Sequence, residues 1–155
     1  MKLYLVQHGD AVQGETDADR PLSQKGKRDV RRLGEFLARN GIAVSRIIHS
    51  GKLRAQQTAE AIASRLPTSV TVETRDGLNP NDPTRAAAQA LVQSDDDMMV
   101  VGHLPLLGKL VSRLVTGSKE PALVTFVPGT AVCLERAESG SWTVAWMVRP
   151  EILAS

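Results

Sequence analysis

The chain has 155 residues, 42% of them hydrophobic and 23% charged, which is enough for one globular domain, residues 1–155, with a core of its own. A net charge of +2 without a Lys/Arg block, and only 3% aromatic residues, argue against nucleic acid or a membrane surface as partner. The single cysteine, Cys133, excludes an internal disulfide and a multi-cysteine metal site. With no charged leader and no apolar stretch of membrane-spanning length, a cytoplasmic protein is expected.

The first element is the run Leu3-Tyr4-Leu5-Val6, which ends at Gln7-His8-Gly9. Continuous apolar runs of this length suit strands covered on both faces, as in a parallel sheet. Residues 10–22 are polar and read as a loop. Ser23 is a good N-cap for a helix whose Val30, Leu33, Phe36 and Leu37 recur at helical spacing and whose stop is Gly41. Ile47 and Ile48 form a short strand ending at His49-Ser50. A helix follows, with Ala55, Ala59, Ile62, Ala63 and Leu66 on one face and Pro67 as terminator.

Val70 and Val72 mark a third strand. The turn-rich segment 77–83 leads to an alanine-rich helix over 84–92. A second buried-type strand, 98–101, runs through Gly102 to His103. The next helix has Pro105 near its first turn, an apolar stripe of Leu107, Leu110, Val111, Leu114 and Val115, and Gly117 as its close. Residues 131–136 and 142–148 flank Glu138-Ser139-Gly140 as a β-hairpin, with Trp142 and Trp146 expected on one side of it. The pattern predicts a single three-layer α/β/α domain, mostly parallel, with antiparallel edge strands.

Function is read from the strand ends. Two of the three histidines, His8 and His103, sit where apolar strands finish. The carboxyl ends of strands are where open α/β sheets bind ligands. Arg54 lies in the first turn after the Ser50 strand end, with Gln57 and Thr58 one turn further on. The helix start after His103 adds free backbone N–H groups. Two imidazoles, a guanidinium and helix N-termini on one rim suit a phosphate held without metal. A neutral imidazole there can attack phosphorus and form a phosphohistidine that water hydrolyses.

Four motifs in order, Gln7-His8-Gly9-Asp10-Ala11, Arg20-Pro21-Leu22-Ser23-Gln24-Lys25-Gly26, Ser50 with Arg54-Ala55-Gln56-Gln57-Thr58, and Gly102-His103-Leu104-Pro105, resemble the histidine phosphatase superfamily. Within it, the chain looks like the short bacterial phosphohistidine phosphatase branch. The resemblance implies a phosphoglycerate-mutase-like fold, with His8 as nucleophile and with His103 and Arg54 completing the catalytic set. Gln7, Arg20, Gln57 and Leu104 would be phosphate-binding. No cofactor or metal is expected. The implied partner is a protein domain carrying phosphorylated histidine, and the oligomeric state stays open, a monomer being compatible.

One position departs from the pattern: the family carries arginine immediately before the nucleophile, and this chain carries Gln7. Arg20, Arg75 or Lys52 can supply that charge if its side chain reaches the rim. Asp76 and Asp10 are the nearest carboxylates for a general acid, yet both read as ordinary loop residues. Two other functions stay open, a small-molecule phosphomonoesterase and a catalytically weak pseudophosphatase that binds phosphate or phosphoprotein. A flavodoxin-like mononucleotide domain is disfavoured, because no Gly-rich loop follows the first strand. Asp95-Asp96-Asp97 reads as a solvated turn, Arg28, Arg31, Arg32 and Arg39 as an outward helix face, and His49 as packing.

Overall fold

The computed structural model describes residues 1–154. Strand β1 (Lys2–Gln7) leads through a loop holding one 3-10 turn (Asp17–Asp19) into helix α1 (Gln24–Arg39). Then follow β2 (Arg46–His49), α2 (Leu53–Ala63), β3 (Thr71–Thr74), α3 (Thr84–Leu91), β4 (Met98–Gly102), α4 (Leu106–Thr116), β5 (Ala131–Arg136), β6 (Trp142–Val148) and α5 (Pro150–Leu153). The six strands form one sheet in the order β3-β2-β4-β1-β5-β6. β3, β2, β4 and β1 are parallel, whereas β5 runs against both its neighbours. This is the three-layer α/β/α arrangement with antiparallel pairing at one edge that the sequence predicts.

Alternation along the strands splits the core into two layers. Leu3, Leu5, Val100 and Val132 pack with α3 and α4 through Leu91, Leu107 and Leu110. Tyr4, Val6, Met99 and Val101 pack on the other face with α1 and α2 through Leu33, Ala59 and Ile62. α1 begins as expected: the Ser23 hydroxyl accepts from Gly26 N–H at 2.9 Å, and Gly41, at φ 71°, turns the chain away after the helix. α4 is likewise framed by Pro105 at its N-cap and left-handed Gly117 at its end.

The structure corrects the placement of the hairpin tryptophans. Trp142 is buried with α3 and α4, while Trp146 packs on the α1 side against Tyr4. Four residues apart on a regular strand, they would share a face. The register shifts between Cys133, opposite Trp146, and Leu134, opposite Val144, so Ala145 is an extra residue in β6 and reverses the alternation. α2 ends at Ala63, a turn before Pro67, although Leu66 is still buried. The Asp17–Asp19 turn and α5 carried no periodicity by which to find them.

One close approach fixes the loop after β1. A Cβ at Gly26 would lie 2.1 Å from the Asp10 carbonyl oxygen, and one at Gly9 would lie 2.8 Å from Val30 Cγ1. The strand end and the first turn of α1 therefore touch backbone to backbone. Ser23 ties the same contact, its hydroxyl donating to Asp10 Oδ2 at 2.6 Å. Gly26→Ala should cost about 1–3 kcal/mol of stability, the usual overpacking penalty, measured as a lower urea midpoint. A midpoint equal to that of the wild type would mean the contact is loose.

Candidate active site

β1 and β4 are adjacent and parallel, with Gln7 opposite Gly102. The residues that follow, His8 and His103, therefore leave the sheet side by side. Their ring centroids are 5.0 Å apart. His8 is held from three directions: its N–H donates to Gly102 O at 3.1 Å, its carbonyl accepts from Gly129 N–H at 3.1 Å, and its ring Nδ1 lies 2.7 Å from Gly9 O. A carbonyl can only accept, so Nδ1 is the donor and carries the proton. The lone pair of Nε2 is free. Gly9 N–H donates to Thr58 Oγ1 at 3.0 Å, and that hydroxyl donates to Arg54 O at 2.8 Å. Through Thr58, α2 fixes Gly9, the residue after His8, together with Arg54.

His103 is 1% exposed. Its Nε2 lies 2.6 Å from Ser50 Oγ, while its Nδ1 is buried without a partner. Either group can donate in this pair; where Ser50 donates to Nε2, the ring proton lies on Nδ1. Arg54, 4% exposed, enters from the first turn of α2. Its Nη1 donates to the Asp17 backbone carbonyl at 2.7 Å and its Nη2 lies 3.4 Å from the Asp17 carboxylate, but its Nε has no partner. Buried unpaired polar atoms are rare in folded proteins. Here Arg54 Nε is a donor, His103 Nδ1 is one when Ser50 donates to Nε2, and Gln7 Oε1 is a third unpaired atom at the end of β1. Such a donor set fits an oxyanion.

The electrostatics suit that reading. Burial lowers the His8 pKa, Arg54 and Arg20 push the same way, and the Gly9 hydrogen bond opposes them. The His103 pKa is pushed down to about 3 by burial and then by His8, Arg54 and Lys52. Both imidazoles are therefore neutral at neutral pH. Asp17 is pulled down to about 2, chiefly by its hydrogen bond to Lys52, so it is a carboxylate and no proton source. Among the described residues, no three His, Cys, Asp or Glu side chains gather closely enough to hold a metal ion.

The remaining candidates divide. Arg20 lies on the loop, its Nε donating to Val12 O at 3.2 Å and its Nη1 3.6 Å from Asp17 Oδ1, within electrostatic reach of His8. Leu104, half out of the fold, follows His103 and lines an apolar groove with Pro105 and Phe126. Gln57 anchors the loop through its Oε1, which accepts from Leu22 N–H at 2.8 Å, and it lines a pocket with Leu22, Lys27 and Val30. Arg75 follows the carboxyl end of β3, its N–H donating to His49 O at 2.9 Å, and its side chain bonds Glu73 and lines a cavity with Arg46 and Met98. Asp76 lines a separate cavity with Leu78 and Pro83. His49 is buried and accepts from Gly51 N–H. Asp17, the hub of the local ion pairs, and the 127–130 segment that grips β1 escaped sequence reasoning, because neither a lone loop carboxylate nor a glycine turn carries a pattern.

The profile of the histidine phosphatase superfamily (branch 1) matches residues 3–82. The phosphohistidine phosphatase SixA of Escherichia coli (strain K12) is 31% identical over 155 residues, covering 97% of this chain and 94% of its own. A solved structure of the protein histidine phosphatase SixA complexed with tungstate superposes with a TM-score of 0.89 at 29% identity, covering 99% of this chain and 100% of that one. The α-ribazole phosphatase of Shigella flexneri shares the fold, with a TM-score of 0.73 at 16% identity over 97% of each chain. The chain belongs to the histidine phosphatase superfamily, branch 1, and is a phosphatase of the SixA type.

Proposed function

We propose that the protein hydrolyses phosphohistidine on a protein partner, through a phosphoryl group carried on His8 and without a metal ion. The observation that carries this reading is the neutral His8 ring, with its Nδ1 proton held by Gly9 O and its Nε2 free beside His103 and Arg54. In the first step the Nε2 lone pair forms a bond to phosphorus. The P–N bond of the substrate breaks, its electron pair returning to the partner's imidazole, which leaves as a neutral ring with its proton on the far nitrogen. In the second step water attacks phosphorus, the bond to His8 Nε2 breaks and phosphate departs. While phosphorylated, the His8 ring carries positive charge through its Nδ1–H, and the Gly9 carbonyl is placed to stabilise it.

Arg54 Nε, His103 Nδ1, Arg20 and the start of α4 supply the charge and donors for the equatorial oxygens. An N-linked substrate is favoured over an ester because an alkoxide needs an acid to leave. Asp17 is tied up as a carboxylate, Asp10 accepts from Ser23 and Asp76 lies in another cavity. The surroundings suit a macromolecule. An apolar groove of about 450 Å3 includes Leu104 and Pro105, which follow His103, and a charged cavity of about 510 Å3 includes Asp10, two residues after His8, with Arg28 and Arg32. A cytoplasmic setting, where thiols stay reduced, suits the free buried Cys133.

A second reading rests on Gln7, whose amide oxygen is buried without a partner and which brings no charge to the site. If the chain is a phosphate-binding module, Gln7→Arg should raise a nearly absent turnover by roughly 10²-fold or more, the scale of one transition-state donor. On the proposed reading the wild type already turns over a phosphohistidine protein, and this substitution gains far less.

Two measurements test the proposal. His8→Ala should abolish release of phosphate from a phosphohistidine protein, and rapid quench of the wild type should trap acid-labile, base-stable label on the chain. Retained turnover in His8→Ala would sink the mechanism. The acid limb of kcat/KM should fall below pH 6.5, because protonation of His8 removes the nucleophile and its pKa is lowered. Arg20→Ala removes one lowering charge, so with the same substrate that limb should move up in pH; an unmoved or lower limb would mean that another group titrates.

A further inference from the structure

Where the 10–22 loop crosses the start of α2, three cations share one carboxylate. Asp17 Oδ2 accepts from Lys52 Nζ at 2.6 Å and from Arg54 Nη2 at 3.4 Å, and Asp17 Oδ1 lies 3.6 Å from Arg20 Nη1. This local excess of positive charge sits beside the two imidazoles. Lys52 belongs to it by backbone as well as side chain. Its N–H donates to Ser50 Oγ at 3.3 Å, and that hydroxyl is 2.6 Å from His103 Nε2. The Lys52 side chain is only 18% exposed, against 57% for Asp17.

A lysine paired with a carboxylate as exposed as Asp17 adds on the order of 1 kcal/mol to stability, a modest gain for the fold. The site gains more. The residue that directly precedes His8 is a neutral amide, so the two groups nearest the nucleophile in the chain, Gln7 and Gly9, contribute no charge to a phosphoryl dianion.

We propose that Lys52 is a phosphoryl-binding residue of this site: it supplies, from the N-cap of α2, the charge that residue 7 lacks, and Asp17 holds its ammonium until a phosphoryl group takes it over. The proposal rests on the assignment of His8, His103 and Arg54 to a phosphoryl site. The different ways in which Asp17 holds its two neighbours make the exchange feasible. Arg54 is anchored by the Asp17 main-chain carbonyl at 2.7 Å as well as by the carboxylate, whereas Lys52 is held by the carboxylate alone. A long flexible stem with three donors can therefore swing from a singly charged carboxylate to a doubly charged phosphoryl group while Arg54 keeps its orientation.

The test uses the full chain, with tungstate and inorganic phosphate as binding probes read by calorimetry, and turnover of a phosphohistidine protein. Lys52→Met should weaken tungstate and phosphate binding and lower kcat/KM by about tenfold or more, the scale of one charge-assisted hydrogen bond. Lys52→Arg should stay within about threefold of the wild type on the same scale. In a Gln7→Arg background, where the charge is restored from β1, the Lys52→Met penalty should shrink to less than about threefold. In an Asp17→Asn background the penalty should persist, and Asp17→Asn alone should tighten tungstate binding by releasing the ammonium.

Three results would overturn the proposal: Lys52→Met binding both anions as the wild type does, an equal penalty with Gln7 and with Gln7→Arg, or a penalty that vanishes once Asp17 is Asn. The last would mean that Lys52 only anchors the loop. Lys52→Gln, of similar polarity, gives the same comparison should Lys52→Met fail to fold. His8→Ala separates the two levels of the argument. If it keeps tungstate binding and loses turnover, the phosphoryl-transfer reading stands and the Lys52 result bears on Lys52 alone; if it keeps turnover, the parent reading fails whatever Lys52 does.

Discussion

The site depends on the register between two parallel strands. Because Gln7 faces Gly102 across the β1–β4 pair, the two imidazoles leave the sheet at one level, and a slip of one residue would send them to opposite faces. The pairing is secured by core residues on both sides: Leu5 and Val100 lie in one layer, Val6 and Val101 in the other. Burial on both faces leaves no alternative register with an intact core. The chemistry at the strand ends is thus paid for by aliphatic packing below it.

A second constraint acts through α2. Its first turn delivers Arg54, its second delivers Thr58 to the Gly9 N–H, and its third residue pair with the loop, Gln57 to Leu22, pins the segment carrying Arg20. One rigid helix thereby sets the relative positions of the guanidinium, the residue after His8 and the loop. Placing these groups on an element rather than on a flexible connection reduces the freedom lost when an anion is bound. Burial of the imidazoles acts with this geometry: removal from water lowers the pKa of both and keeps the rings neutral.

Much of this is legible in the sequence. Apolar runs, helix caps and turn residues are local signals, so the strands at 2–7 and 98–102, the Ser23 cap and the Gly117 stop can be read directly. The neighbourhood of His8 and His103 can be anticipated from strand-end position, although the adjacency of their strands comes only from the sheet order. Three things lie outside that reach. The bulge at Ala145 depends on how β6 meets β5 across the hairpin, so the faces of Trp142 and Trp146 cannot be counted off by alternation. Gln57 follows Arg54 at a spacing suggestive of the rim, yet a free loop amide at Leu22 captures it. The role of Asp17 arises from three cations contributed by two segments, a convergence that no spacing in one dimension encodes.

The 127–130 segment has a consequence for what part of the chain is indispensable. Gln7 N–H donates to Thr130 O at 3.0 Å, and Gly129 N–H reaches both the Gln7 and His8 carbonyls at 3.1 Å. Gly129, at φ 89°, leaves a would-be Cβ only 2.9 Å from Pro150 Cγ, so this grip is itself wedged by the start of α5. The motif-rich first half of the chain therefore does not hold His8 by itself: the backbone at His8 is tied from some 120 residues downstream, and the last helix acts as a doorstop behind β1.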